Sequence, residues 1–305
     1  SRIYPAAFNH LVLLPRAGNN HSEVVTDVTI GKTLNRPLVI TQSVILDAGA
    51  FEPTIPLKIC GESANSNNLL VRTMRVGDLQ ESRCIAVFPL EGYILPGLNC
   101  EAVELQSWSP MNISSIMDIE QRLFACRAAY PDIPIGITIG PENAVVNLNK
   151  AIQAGFDYIT LSGVNWDRTG SGIKFDETQS PAIGSISECR NEIEKQNASK
   201  IRLIYCGGIR SGADITKAIA LGADAVVIGM AAKLSASKGE VDPDISDPNK
   251  INEAVTRLNS FINVVNQEAV LLASTCGKKD IHQLSADDLR AMRIETSEAT
   301  GIPMA

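Results

Sequence analysis

The sequence predicts an α/β fold, a (β/α)8 TIM barrel with extra C-terminal helices. Between Ile133 and Ala232, short β-branched runs alternate with stretches of helical spacing. The connections between them are short, and strand–helix–strand repeats with short loops mean right-handed parallel crossovers. Together with the apolar runs of the first half, the strands come to eight, the number that closes a barrel. Helices between the early strands read as short or missing, so an open doubly wound sheet is the alternative.

In chain order, Pro37 to Leu46 is the first strand and Leu57-Lys-Ile-Cys60 a weaker second. Cys84 to Phe88 and Ala102 to Gln106 follow. Ile133 to Ile139 is β-branched and bounded by proline and glycine, which marks a buried strand. Asn143 to Ala154 has helical spacing at Val146, Leu148 and Ile152, and Gly155 terminates it. Tyr158 to Leu161 is a strand, followed by a Gly-rich loop from Ser162 to Gly172. Ile183 to Gln196 is a helix with acids early and Lys195 late, matching its dipole. Arg202 to Tyr205 is a strand, Ala213 to Leu221 a helix closed by Gly222, and Ala225 to Ile228 the last strand. Ser235 to Asn249 is a polar loop. Ile251 to Cys276 is one long amphipathic helix with Ile251, Val255, Leu258, Ile262, Val265 and Leu272 on one face. Ser285-Ala-Asp-Asp288 reads as a capping box opening a last short helix.

Lys plus Arg is 27 and Asp plus Glu 34 in 305 residues, a net charge of −7 without a basic tract. That argues against nucleic acid and anionic membrane as partners, and no apolar run is long enough to span a bilayer. The seven cysteines are scattered with no CxxC pair, which suggests buried thiols in a reducing, cytoplasmic setting. His10, His21 and His282 lie far apart in sequence, so no metal site is expected. A small-molecule substrate is the expected partner, and either a homo-oligomer or a redox partner subunit is compatible with the chain.

The chemistry is expected at two glycine sites one β/α unit apart. Cys206-Gly-Gly-Ile-Arg-Ser-Gly212 follows the seventh strand and Ile228-Gly-Met-Ala231 ends the eighth. Glycines let backbone N–H groups approach an anion closely, and the helix opening near Ala213 offers its positive end. Barrels commonly hold phosphate after strands seven and eight.

These residues resemble the phosphate-binding end of FMN- and nucleotide-binding barrels, and the stretches around them are most similar to the FMN domain of the glutamate synthase family. Leu11-Val-Leu-Leu-Pro15 before Arg36-Pro-Leu-Val-Ile40 resembles the family's opening segment. Ser162-Gly163 with Thr169-Gly-Ser-Gly172 resembles its Gly-rich loop. Leu284-Ser-Ala-Asp-Asp-Leu-Arg290 through Thr300-Gly-Ile-Pro303 resembles its C-terminal signature. The resemblance implies FMN as cofactor. Backbone amides of Gly207, Gly208, Gly229 and Met230 would hold its phosphate, with Ile209, Arg210 and Ala231 in the same turns. Asp47, Ala48 and Gly49 would lie near the isoalloxazine, and Ser162 and Gly163 would border the ring or the substrate. On this reading residues 1–36 are a lead-in segment, 37–234 the FMN- and phosphate-binding barrel, and 235–305 a helical extension packed on it.

The sequence departs from the family at three points. Cys206 stands where an acid would bind a ribityl hydroxyl. The run Ile135-Gly136-Ile137 replaces a strand-five lysine that would stabilise the reduced ring. No cysteine occurs from Ala231 to Thr275, so the family's iron–sulfur cluster is not expected. The missing cation turns attention to Asp167 and Arg168 in the Gly-rich loop, where Arg168 could clamp a substrate carboxylate. Lys58 and Gln106 are further candidates for the barrel mouth. Glu104 is expected to point away from Gln106, Trp166 to cover the ring or fill a gap, and Lys174 and Lys233 to be solvated. The function implied is an FMN-dependent oxidoreductase of the glutamate-synthase-like group acting on a small amino or imino acid. A non-catalytic subunit, and a non-redox lyase or isomerase acting on a phosphorylated substrate, are the alternatives.

Overall fold

Eight parallel strands close on themselves in the computed structural model, which describes residues 7–16, 23–52, 54–79, 82–106, 116–162, 183–240 and 247–305, and the backbone of 166–167 and 174–175. Before the barrel come β1 (Leu11–Leu13) and an antiparallel pair, β2 (Val28–Ile30) and β3 (Leu38–Ile40). The first half of the barrel is β4 (Val44–Asp47), α1 (Leu57–Asn67), β5 (Leu70–Thr73), β6 (Cys84–Pro89) and β7 (Ala102–Gln106). Then come α2 (Ile116–Ala129), β8 (Ile135–Ile139), α3 (Ala144–Ala154) and β9 (Tyr158–Ser162). A short antiparallel pair, β10 (Trp166–Asp167) and β11 (Lys174–Phe175), precedes α4 (Gly184–Lys195). The last units are β12 (Arg202–Cys206), α5 (Gly212–Ala220), β13 (Ala225–Ile228) and α6 (Met230–Ala236). Outside the barrel lie α7 (Pro248–Thr275), β14 (Leu289–Ala291) and α8 (Ile294–Thr300). The barrel order is β4-β5-β6-β7-β8-β9-β12-β13, and β13 pairs back onto β4 through Val226↔Val44. Closure removes the open doubly wound alternative.

The barrel interior is a separate apolar cluster. Ile45, Leu70, Ile85, Ala102, Tyr158, Ile204, Ala225 and Val227 meet there, and Val28, Ile30, Leu38 and Ile40 plug the end where the strands begin. Tyr158 is the largest member and is fully buried, and its hydroxyl donates to Val103 O at 2.9 Å. Its ring fits because its partner on β8 is Gly136. A Cβ at Gly136 would lie 2.3 to 2.5 Å from three atoms of that ring. Strand five therefore has no room for any side chain at Gly136.

Three expectations about elements need correction. Leu57–Cys60 opens α1 and is not a strand. A four-residue apolar run carries too little periodicity to separate the two, and burial at Leu57, Ile59, Cys60, Ser63 and Ala64 follows helical spacing. The true second strand is β5, whose charged Arg72 hid it. The run Pro37–Leu46 breaks at Gln42 (φ 59°) and Ser43 (φ 53°) into β3 and β4. The capping box at Ser285 and Asp288 is formed, yet it opens only a 3-10 turn, Ala286–Asp288, because Leu289–Ala291 pairs antiparallel with β1.

The long helix α7 packs across α1, α5 and α6. Its contact with α5 is backbone to backbone. A Cβ on Gly212 would lie 2.3 Å from Val265 O and 2.5 Å from Ala269 N. Under α7, Lys233 is buried, contrary to the solvated position expected. The side chain of Lys174 lies outside the described residues. At the C-terminal end, fully buried Asp288 takes ion pairs from Arg16 and Lys278, each at 2.9 Å. Among the described residues, no helix is long and apolar enough to cross a membrane.

Candidate cofactor and active site

The strand ends that matter belong to β12, β13, β4, β5, β7 and β8. Parallel strands lie about 4.8 Å apart, so the register Cys206↔Val227 sets the turn Gly207–Gly208 beside Gly229. Gly207 (φ 153°) and Gly208 (φ 65°) adopt backbone that other residues rarely take. Among the described residues, the Gly207 and Gly208 amides donate to no backbone carbonyl, and Met230 and Ala231 open the first turn of α6, where amides have no intrahelical partner. Gly229 is the N-cap of α6, with no side chain capping it. A Cβ there would fall 2.9 Å from Ala50 Cβ and 3.4 Å from Asp47 Cβ, so only glycine fits between strands eight and one. The donors are neutral main-chain amides in a cradle that side chains leave open, which is the chemistry of an anion seat.

One expected contributor is already engaged. The Gly212 amide at the start of α5 donates to Glu268 Oε2 of α7 at 2.7 Å. Arg210 is bound to Asp214, its amide at 3.0 Å and its Nε at 3.2 Å from Oδ2, and its side chain is largely exposed. Ile209 is buried in the apolar layer and offers only backbone.

Next to Gly229 begins a charged cluster that the sequence did not reveal. Arg72 of β5 crosses the barrel to Glu104 of β7, with Nε at 2.8 Å and Nη2 at 2.6 Å from Oε1. Nη2 also reaches Gln106 Oε1 (3.0 Å) and Thr138 Oγ1 (3.2 Å). Nη1 is held more loosely, 3.5 Å from Asp47 Oδ1. Glu104 also accepts from the Thr138 hydroxyl and from Thr160 Oγ1 at 2.8 Å. Asp47, Arg72, Glu104, Thr138 and Thr160 are all buried. A buried charge is tolerated when paired and hydrogen-bonded, as here.

This cluster corrects the expectation for Glu104. Strand side chains alternate with period two, so residues 104 and 106 share a face, and both meet Arg72. Lys58 is also corrected: it is an exposed residue in the first turn of α1 and does not lie on a strand as expected. Ser162 ends β9 and is buried. Ala48 and Gly49 form a turn after β4, and the Gly49 amide bonds Asp47. Gly163 and Arg168 lie outside the described residues, as do the side chains of Trp166 and Asp167.

Burial dominates the protonation of these groups. It pushes the Asp47 carboxyl above its usual range, while Arg72 and the Gly49 amide pull it down. Burial opposes the charge on Arg72, but Glu104 and Asp47 outweigh it and hold the guanidinium protonated. Burial, reinforced by Asp47, pushes the Cys206 thiol up to about 12, so it stands neutral below the glycine turn. A surface cleft lined by Arg36, Arg83, Cys84 and Glu101 opens at the opposite end of the strands, where Arg83 is already paired with Glu101 at 2.8 Å. Among the described residues, no group of three or more His, Cys, Asp or Glu is placed to hold a metal.

Residues 100–237 match the conserved region in glutamate synthase. The chain is 29% identical over 205 residues to a glutamate synthase large subunit-like protein of Rhizobium meliloti, across 56% of this chain and 46% of that protein. It is 34% identical over 131 residues to an archaeal-type glutamate synthase [NADPH] of Thermotoga maritima, across 41% of this chain and 25% of that protein. The matched segments thus span less than half the length of these relatives. A mandelate oxidase variant with a monooxide FMN adduct superposes with a TM-score of 0.63 at 16% identity, covering 91% of this chain and 87% of that one. Likeness at that identity speaks for the fold. The chain is thus a TIM barrel similar in sequence to part of glutamate synthase and in fold to mandelate oxidase.

Proposed function

We propose that the barrel binds FMN and acts as an oxidoreductase on a small organic substrate, an amino or imino acid by analogy with its glutamate synthase relatives. The observation that carries this is the pair of adjacent glycine turns, Gly207–Gly208 and Gly229, beside a buried charged cluster. FMN would supply hydride acceptance and return. Gly207, Gly208, Met230 and Ala231 would seat the phosphate by main-chain N–H. Asp47, Ala48, Gly49, Gln106 and Ser162 would border the ring. Asp167 and Arg168, on the loop after the sixth strand, would meet the substrate, with Arg168 taking a carboxylate.

The test is direct. Purified protein should carry visible flavin absorbance, or take up added FMN with a thermal shift. At a hundredfold excess over Kd, binding stabilises by about 2.7 kcal/mol. Folded protein that shows neither absorbance nor shift would end this reading.

A further inference from the structure

The fifth strand cannot offer a lysine at Gly136, because the Tyr158 ring occupies that space. The barrel nevertheless holds a cation at the same level, brought from the second strand. We infer that Arg72 is the fixed positive charge facing the pyrimidine half of the flavin, and that it orients Gln106 as a hydrogen-bond donor to that ring. This rests on the reading that FMN is the ligand.

Arg72 is anchored by the hydrogen bonds from Nε and Nη2 to Glu104, which fix its plane. Glu104 forms the floor of the site, fully enclosed, with the two threonines filling its remaining acceptor positions. Nη1, on the other side of the guanidinium, lies toward Asp47 and so toward the Gly229 turn. A guanidinium has only donors, so the side-chain oxygen of Gln106 must be the atom facing Arg72. The NH2 group of Gln106 is thereby turned away from the guanidinium. Gln106 is the last residue of β7 and is only half-buried, so it stands at the rim above Glu104. The rim thus presents N–H groups from a cation and an amide, complementary to a ring edge that gains negative charge when reduced.

The experiment measures the midpoint potential of bound FMN, with binding stoichiometry recorded separately. A cation beside the ring makes reduced FMN bind more tightly than oxidised FMN, so the wild-type potential should lie above that of free FMN. Replacing the pair together, Arg72→Met with Glu104→Gln, removes the tightly bonded ion pair and keeps the net charge, and it leaves Asp47 as a buried carboxyl whose neutral form burial already favours. A shift then reports where the cation sits. The preference for reduced FMN should fall at least tenfold, about 30 mV for a two-electron couple. Arg72→Lys should stay within threefold of wild type. A double variant that binds FMN with an unchanged potential overturns the inference and leaves the proposed function standing. A wild-type potential below that of free FMN overturns it even if the double variant does not fold. Wild-type protein that takes up no FMN defeats the proposed function itself, and this inference with it, before any variant is made.

Discussion

Substituting Gly136 by alanine should be among the most damaging small changes in this barrel. The added methyl would sit 2.3 Å from one atom of the Tyr158 ring and within 2.5 Å of two more, inside a cluster with no solvent-facing side. Restoring ordinary contact requires the ring to retreat by about 1 Å. That movement breaks the 2.9 Å hydrogen bond from the Tyr158 hydroxyl to Val103 O, and both groups are buried. Overpacking of this kind costs about 1–3 kcal/mol, and leaving a buried polar group unsatisfied costs about 1–3 kcal/mol more. The sum is a loss of about 2–6 kcal/mol, read as a lower urea midpoint with an unchanged slope. Trimming the neighbour in the double variant Gly136→Ala/Tyr158→Leu should recover part of the loss. If Gly136→Ala alone stays within about 0.5 kcal/mol of wild type, a level typical of surface substitutions, the tyrosine does not fill that space and the argument about strand five fails.

Other outcomes follow from the same geometry. Gly212→Ala would drive a methyl into the backbone of α7 at Val265 and Ala269. It should destabilise by about 2 kcal/mol or more, and hydrogen exchange should show faster opening of α7 than of β12. Because burial raises the Asp47 pKa in the folded protein above the ordinary 3.8, Asp47 contributes stability at low pH that is lost as pH rises through the folded value. Asp47→Asn should remove that part of the slope in ΔG against pH, and an unchanged slope would contradict the assignment. All seven cysteines are buried, and burial pushes the thiols of Cys100 and Cys126 up to about 11 and those of Cys84, Cys189 and Cys206 up to about 12. Native protein at mildly alkaline pH should resist alkylation at every cysteine, and denaturant should release all of them; rapid labelling of a native thiol would refute this.

The second half of the barrel was legible because its strands are short, largely apolar runs ended by glycine, as at Ile135–Ile139 and Arg202–Cys206, and its helices carry clear apolar spacing. The first half was not. Leu57-Lys-Ile-Cys60 and Leu70-Val-Arg-Thr73 are four-residue stretches that each carry one charge, and only tertiary burial makes the first a helix and the second a strand. The glycine turns were visible as spacing, and their adjacency follows from strand order. The charged cluster stayed hidden because its members, Arg72, Glu104, Thr138 and Thr160, come from four different strands and meet only when the barrel closes. A signal existed: an arginine inside Leu70-Val-Arg-Thr73 and a glutamate inside Ala102-Val-Glu-Leu-Gln106 are charges in otherwise buried runs, and such charges need each other.

The pairing of β1 with β14 brings the approach to the barrel and the departure from it to one place, where Asp288 clasps Arg16 and Lys278. A module whose two tethers leave side by side can be spliced into a longer polypeptide without stretching either flank. It also means that a cut near either tether unzips the same seam, so loosening Leu11–Leu13 and deleting Leu289–Ala291 should be felt as one event rather than two.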